Sequence, residues 1–416
     1  GCYTGYTALG VGPQRGRCRN CAAGWGDARM DFDVVVIGAG PSGAAAAREI
    51  AQGGGRVALL ERDAYPGQRA ACGGGIEGAD LELLGLPDSL IQRRITRREH
   101  HFPWGHTVIA DPHVITLRQE LDRWLAEESV AAGAELFTHT RVRVVKRLAA
   151  KRVEVTADDR ATQQAVTYTA RLAIFADGPH TLAPRAGKLG FTCTPATAAL
   201  GLFYELAWPN TPMAHHEIHF APAISPWGYL WIFPARDLLN VGLTVLPSSV
   251  NRTQTLEARL RAFIDSRFDL RDRPILRRAG GHIPVVPAAR FYDDNMLVVG
   301  DAAGMVDALT DAGIANGVCG GRLAGQTACE ALASGDYSAA FLARYQARWQ
   351  ASPRGQMTRF QSRLTRALLP VNRLDPYLYA KVMQILFLGR DLRRWQKLRL
   401  LAYPLIRSVL TPDTQR

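Results

Sequence analysis

The most restrictive feature of this chain is a strand, a glycine turn and a small-residue helix in immediate succession. Residues 31–38 read DFDVVVIG, an apolar, β-branched run, and AGPSGAAAAREIAQGG follows as a helix made largely of alanine. RVALLE, residues 56–61, is a second strand. Gly38, Gly40 and Gly43 stand where a dinucleotide site requires them. The first permits the tight turn, the second lets backbone approach a pyrophosphate, and the third lets the helix lie close on the sheet. The helix start offers unpaired N–H groups and a positive dipole end to phosphates. Glu61, at the end of the second strand with Arg62 beside it, is placed to take the ribose hydroxyls of an adenosine half.

A second, distant element narrows the dinucleotide to FAD. The strand MLVVG ends in Gly300-Asp301, and Ala302-Ala303-Gly304 opens the next segment. An aspartate there can hydrogen-bond a ribityl chain, while a helix start faces the flavin phosphate or ring edge. Gly313 and Ile314 begin a further small-residue helix, GIANGVCGGRLAGQTACEAL. A soluble NAD dehydrogenase has no need of this second element.

With these motifs in order, the chain resembles the geranylgeranyl reductase family of flavoproteins, which is related in fold to p-hydroxybenzoate hydroxylase. The resemblance covers roughly 31–335. It rests on VVVIGAGPSGAAAA, CGGGI at 72–76, LRQELDRWL at 117–125, FADG at 175–178, PWGYLWIFP at 226–234, and GDAAG with GIANG at 300–304 and 313–317. It implies a Rossmann-type α/β FAD-binding domain with an inserted antiparallel-sheet substrate domain and a helical C-terminal region. It implies FAD, reduced by NADPH, NADH or another donor, saturating carbon–carbon double bonds of a polyprenyl chain. DALTDAGI at 307–314 departs from the family wording: Asp311-Ala312-Gly313 stands where many relatives carry Gly-Glu-Gly.

An unactivated alkene is a poor hydride acceptor, so the site must be an apolar tunnel that excludes water and supplies a proton. Cys72, ahead of Gly73, Gly74 and Gly75, is expected near the flavin ring, because successive glycines let backbone run beside a planar group. Its thiol can donate a proton, polarise a group or line the site. Tyr229, Trp231 and Phe233 alternate along a strand and share one side, as a prenyl tunnel wall or as core packing. Tyr229 can also supply a hydroxyl. The resemblance places Arg118 against the flavin pyrophosphate, a role that suits a guanidinium, and assigns Asp177-Gly178 to flavin and nicotinamide binding. As a bare Asp-Gly after a strand, that pair is equally a turn.

The domain reading runs as follows: a disordered extension over 1–30; the first part of the FAD-binding domain over 31–184, with a variable substrate-facing segment near 72–114; a sheet-based substrate domain over 185–290; the second FAD part over 291–336; and a basic helical region over 337–416. The net charge of +12 does not describe a nucleic-acid-binding face. Residues 341–416 hold fifteen Lys or Arg against three acids, which is the whole excess. Phe387, Leu388, Leu400 and Leu401 beside Arg393, Arg394, Lys397 and Arg399 read instead as a tail lying on an anionic bilayer, or as a helical cap on the cavity. The seven cysteines form no disulfide framework, and a reducing, cytoplasmic setting is expected. Neither Cys18-x-x-Cys21 nor His215, Glu217 and His219 is read as a metal site, the latter being taken as a polar strand face. Arg93, Arg94, Arg97 and Arg98 are candidates for a phosphate head group or a solvated helix face. An FAD monooxygenase or halogenase acting on an aromatic or polyketide compound is the alternative reading, weakened by the lack of a Trp-x-Trp-x-Ile motif.

Overall fold

The computed structural model describes residues 29–148, 151–247, 254–268 and 273–388. Its organising layer is a six-stranded sheet in the order β17 (Tyr292–Asp293), β18 (Met296–Val298), β11 (Leu172–Phe175), β2 (Val34–Ile37), β3 (Val57–Leu60), β7 (Glu135–Phe137). All its pairings are parallel except β17 with β18. β2, β3, β11 and β18 are buried along their whole length, as central strands covered on both faces must be.

The helices are α1 (Pro41–Gln52), α2 (Leu81–Leu84), α3 (Arg118–Ala131), α4 (Ala183–Ala186), α5 (Leu256–Arg267), α6 (Ile314–Ser334), α7 (Ala339–Ala351), α8 (Pro353–Leu368) and α9 (Leu378–Leu388). α1 and α6 pack through their smallest residues. Ala44, Ala46 and Ala47 are fully buried. Gly317, Gly321 and Gly325 recur every four residues on α6, and a methyl group at Gly321 would overlap the Ser42 carbonyl oxygen. The composition of both helices is therefore set by how closely their backbones approach, which brings their N-termini together on one side of the sheet.

A four-stranded sheet, β1 (Arg29–Asp31), β10 (Gln164–Ala170), β9 (Arg152–Asp159), β8 (Thr140–Leu148), flanks this layer. Arg29 and Met30 pair with Thr167 and Tyr168, so an ordered strand reaches into the extension expected to be disordered through residue 30. Residues 1–28 lie outside the described residues.

The third sheet carries the other half of the site. Its order is β16 (Ile275–Pro284), β12 (Ala198–Ala207), β15 (Leu238–Val245), β14 (Leu230–Pro234), β13 (His216–His219), β5 (Arg93–Phe102), β6 (Gly105–Ile115), β4 (Gly75–Glu77). Two corrections follow. The sheet placed over 185–290 is completed by three strands from the stretch read as a variable segment. Arg93, Arg94, Arg97 and Arg98 stand on a strand and not on a helix face. RRITRREHHF conceals its period of two because a register shift between Ile95 and Arg97 interrupts it and because its inward positions include Arg98 and His100 beside Ile95 and Phe102.

Candidate active site

The strand-to-helix turns form the floor. Gly38 has φ +99°, and a methyl there would strike the Ala176 carbonyl; one at Gly43 would overlap the Gly38 carbonyl oxygen. Gly40 differs. Its φ is −70°, which any residue adopts, and a methyl added there meets nothing within 4 Å. The fold itself does not require that glycine, so the open space above it is what the sequence preserves. α1 starts at Gly40 with Pro41 at its first position, and α6 starts at Gly313; neither N-terminus carries a side-chain cap. Two uncapped helix starts facing one cavity, with Asp301 between them, fit a bound dinucleotide.

Glu61 is buried, accepting hydrogen bonds from Ala39 N at 3.1 Å and Asp63 N at 3.0 Å. Burial raises its carboxyl above the usual range, partly opposed by those two N–H groups. The neighbouring Arg62 is exposed, 3.7 Å from Asp63. Asp177 accepts from Leu182 N at 2.7 Å through one oxygen. Its other oxygen is buried, and burial raises the carboxyl, opposed by Thr181 and the Leu182 N–H. Gly304, φ +68°, ends the 300–303 turn and would drive any side chain into Val286.

Arg118 lies at the start of α3 and lines the cavity, forked onto Asp122 one turn later at 2.7 and 2.9 Å. Burial works against its charge, and Asp122 outweighs burial, so the guanidinium stays protonated. The fork uses part of its donor set and fixes its direction, leaving the remainder for an anionic ligand. The same cation counters the burial that raises Asp301.

Above the floor, Cys72, Gly73, Gly74 and Gly75 run against the aromatic row. A methyl at Gly73 would come within 2.7 Å of the Phe233 ring and 3.0 Å of Trp231 Nε1. The Cys72 sulfur accepts from Gly74 N at 3.4 Å. Asn240 ties the two parts together: it accepts from Trp231 Nε1 at 2.7 Å and donates to the Cys72 carbonyl at 3.4 Å. Tyr229, Trp231 and Phe233 share one side, their ring centroids 6.1 and 6.3 Å apart in succession. The cavity they face measures about 400 Å³, within the range of small-molecule sites. Met383 and Phe387 of α9 close it, so the described C-terminal helices do cap the cavity.

Sequence reading missed several lining residues. Asp311 adopts φ +57°, the left-handed region that favours glycine, at the position where the family wording has one. Its carboxyl is buried within hydrogen-bonding reach of Thr244 and Tyr229, and burial holds its pKa up at about 7. The Tyr229 hydroxyl donates to the Thr310 carbonyl at 2.9 Å, and its oxygen can still accept a hydrogen bond from a neutral Asp311. On another wall, His100 and His216 are each 1 % exposed, and none of their ring nitrogens has a hydrogen-bond partner. Burial pushes them down to about 3 and about 2, so both are neutral. Of the four arginines on β5 named from sequence, only Arg98 reaches this wall. Arg93 donates to carbonyls of Thr211, Met213 and Ala235, and Arg94 pairs with Asp88 at 2.7 Å.

The cavity thus brings together Gly40, Cys72, Gly74, Arg118, Gly178, Tyr229, Trp231, Phe233, Asp301, Gly313 and Ile314. Gly38, Gly43, Glu61, Arg62, Asp177 and Gly304 lie outside its lining.

Residues 31–359 match the family described as FAD binding domain. Digeranylgeranylglycerophospholipid reductase 1 of Methanopyrus kandleri is 34% identical over 294 residues, covering 68% of this chain and 77% of that protein. Geranylgeranyl diphosphate reductase of Rhodobacter capsulatus is 30% identical over 296 residues, with 68% and 72% covered. In fold, the chain is similar to a geranylgeranyl bacteriochlorophyll reductase-like protein of Thermoplasma acidophilum. That similarity has a TM-score of 0.76 at 22% identity and covers 92% of this chain and 99% of that one. The uncapped helix starts, the aromatic wall and these relatives agree: the chain belongs to the geranylgeranyl reductase family of FAD-dependent oxidoreductases.

Proposed function

We propose that this protein saturates carbon–carbon double bonds of a polyprenyl compound. The observation that carries the reading is an aromatic-walled cavity above the two helix starts in which one of the buried carboxyls, Asp311, sits beside Tyr229 with its pKa raised to about 7. Reduced FAD supplies a hydride, after reduction by NADPH, NADH or another donor. The chain supplies the rest. Gly38, Gly40, Gly43, Glu61, Arg62, Arg118, Asp177, Gly178, Asp301, Gly304, Gly313 and Ile314 hold the cofactor. Tyr229, Trp231 and Phe233, with Gly74 opposite, orient the prenyl chain and keep water out. Asp311 gives the second alkene carbon its proton, with Tyr229 holding the carboxyl, and is reprotonated from solvent. Cys72 lines the cavity beside Arg118. Its sulfur is fixed by the Gly74 N–H, and it serves positioning.

The test is anaerobic mixing of chemically reduced holoenzyme with prenyl diphosphates and prenylated glycerophospholipids. Flavin absorbance is expected to return in step with alkene added, and the preferred head group identifies the substrate branch. Flavin that stays reduced with every prenyl compound contradicts the reading.

Peripheral membrane attachment is part of the same proposal, since prenyl substrates partition into lipid. Among the described residues, no helix is long and apolar enough to cross a membrane. Met357, Phe360, Val371, Leu374 and Leu386 are nonetheless exposed, Leu374 at 87 %, on a stretch that also carries Arg359, Arg363 and Arg366. Apolar side chains among arginines suit the interface of an anionic bilayer. The tail residues named from sequence beyond 388 lie outside the described residues. Sedimentation with anionic liposomes at low salt is expected to carry the protein down. Phe360→Asp with Leu374→Asp should abolish co-sedimentation; unaltered pelleting of that variant removes this surface from the account.

A further inference from the structure

The face of the third sheet turned away from the cavity carries a second cluster. β13 and β5 run parallel, with Glu217 opposite Glu99 and His219 opposite His101. Alternation sends Arg98, His100, His216 and Ile218 to the cavity wall, and His101, Glu99, Glu217, His219 and the preceding His215 to the other side. There they meet α5, where His219 packs on Phe263 and Arg267 reaches Glu217.

The spacing of their ligand atoms is informative. His101 Nε2 lies 3.6 Å from Glu99 Oε2 and 3.7 Å from Glu217 Oε2. His215 Nε2 lies 3.4 Å from Glu99 Oε1 and 3.6 Å from Glu217 Oε1. These separations are long for hydrogen bonds. They are close to the roughly 3.3 Å that separates neighbouring ligand atoms around a tetrahedral ion with bonds of about 2.0–2.1 Å. His101 Nε2 is shut off from solvent and makes no hydrogen bond, although it points at two carboxylates. His219 Nε2 meets Glu217 Oε2 at 2.6 Å, and the His101 and His219 rings stack with centroids 4.2 Å apart. Both imidazoles therefore present Nε2 to the same oxygen.

We infer that His101, His219 and Glu217, with Glu99 and His215 adjoining, form a binding site for a divalent transition-metal ion of the zinc class. Two imidazoles and a carboxylate are a borderline-soft donor set that such ions accept. Arg267, 2.5 Å from Glu217 Oε2, takes an outer lone pair and orients the carboxylate, as groups behind metal ligands do. The site spans the one pairing that joins β4, β5 and β6 to the rest of the third sheet. An ion here is a staple across that seam, directly behind the cavity wall of His100 and His216, and its role is structural.

The test uses untagged full-length FAD-loaded protein, stripped with chelator and titrated with Zn²⁺ by calorimetry and with Co²⁺ by visible absorption. About one equivalent per chain is expected, with the ligand-field bands of tetrahedral Co²⁺ and a rise in Tm. His101→Ala combined with His219→Ala is expected to weaken binding at least 100-fold and leave FAD content unchanged. Should that variant fail to fold, the isosteric Glu217→Gln reads the same loss. His180, Cys193 and His282 form a separate candidate group, so His282→Ala should bind as the unaltered protein does. Binding below a tenth of an equivalent, or binding that survives Glu217→Gln and disappears with His282→Ala, overturns the assignment.

Discussion

Replacing Asp311 by Asn is expected to lower the rate of alkene reduction by about 10²–10³-fold while leaving the protein yellow, the size of effect that follows loss of a positioned general acid. Asp311 lies under the aromatic wall with Tyr229, Tyr379 and Thr244 around it, and its pKa of about 7 arises chiefly from burial. Only the protonated form donates, so the rate of the unaltered protein should fall as pH rises through about 7, and Asp311→Asn should lose that limb. Stability gives an independent reading. The unfolded chain ionises this carboxyl near 3.8, whereas the fold keeps it protonated to about 7. Between those values folding holds a proton that unfolding releases, so the contribution of Asp311 to stability declines as pH rises. The Asn variant should flatten that decline in urea titrations at pH 5 and pH 8. Cys72→Ala, by contrast, is expected to cost less than tenfold in turnover. Full activity in Asp311→Asn with the alkaline limb intact would return the carboxyl to a packing role.

The left-handed backbone at Asp311 supports this assignment. An L-residue in that region costs about 1–2 kcal/mol relative to glycine. A site that keeps a glycine conformation and fills it with a carboxyl has accepted strain and burial together, beside Tyr229.

Gly40→Val and Gly43→Ala should separate the needs of the cofactor from those of the fold. Space is open above Gly40, so Gly40→Val is expected to fold with a near-normal Tm before cofactor is added, yet to bind FAD at least 100-fold more weakly. Gly43→Ala forces a methyl into the Gly38 carbonyl and should fail to fold or lose its thermal transition. Fluorescence titration with FAD alongside circular dichroism measures both. Tight FAD binding by Gly40→Val would mean that the phosphates do not rest where α1 begins.

These cases show what the sequence made legible. Gly38, Gly40 and Gly43 were readable because a turn between strand and helix is local, and its steric demands are written in adjacent residues. The Tyr229, Trp231, Phe233 row was readable because a strand alternates. Arg118 was placed near the cofactor, but its fork onto Asp122 went unread although the i, i+4 spacing was available. His100 and His216 were missed because each shares a face only once β5 and β13 are set side by side in register. β5 is a strand where its arginines also suit a solvated helix face, because its inward side carries Arg98 and His100 and hydrophobic periodicity does not register buried polar groups. Asp311 stood out as a departure in wording, but the conformation that gives it meaning is a dihedral angle.

The central claim, reduction of an isoprenoid double bond, is tested most directly by the mass of the product. Holoenzyme with a chemical reductant and a geranylgeranyl substrate, incubated without oxygen, should yield species heavier by two hydrogens for each bond saturated. Unchanged substrate under those conditions, together with a product gaining oxygen or halogen once air and halide are admitted, would contradict it.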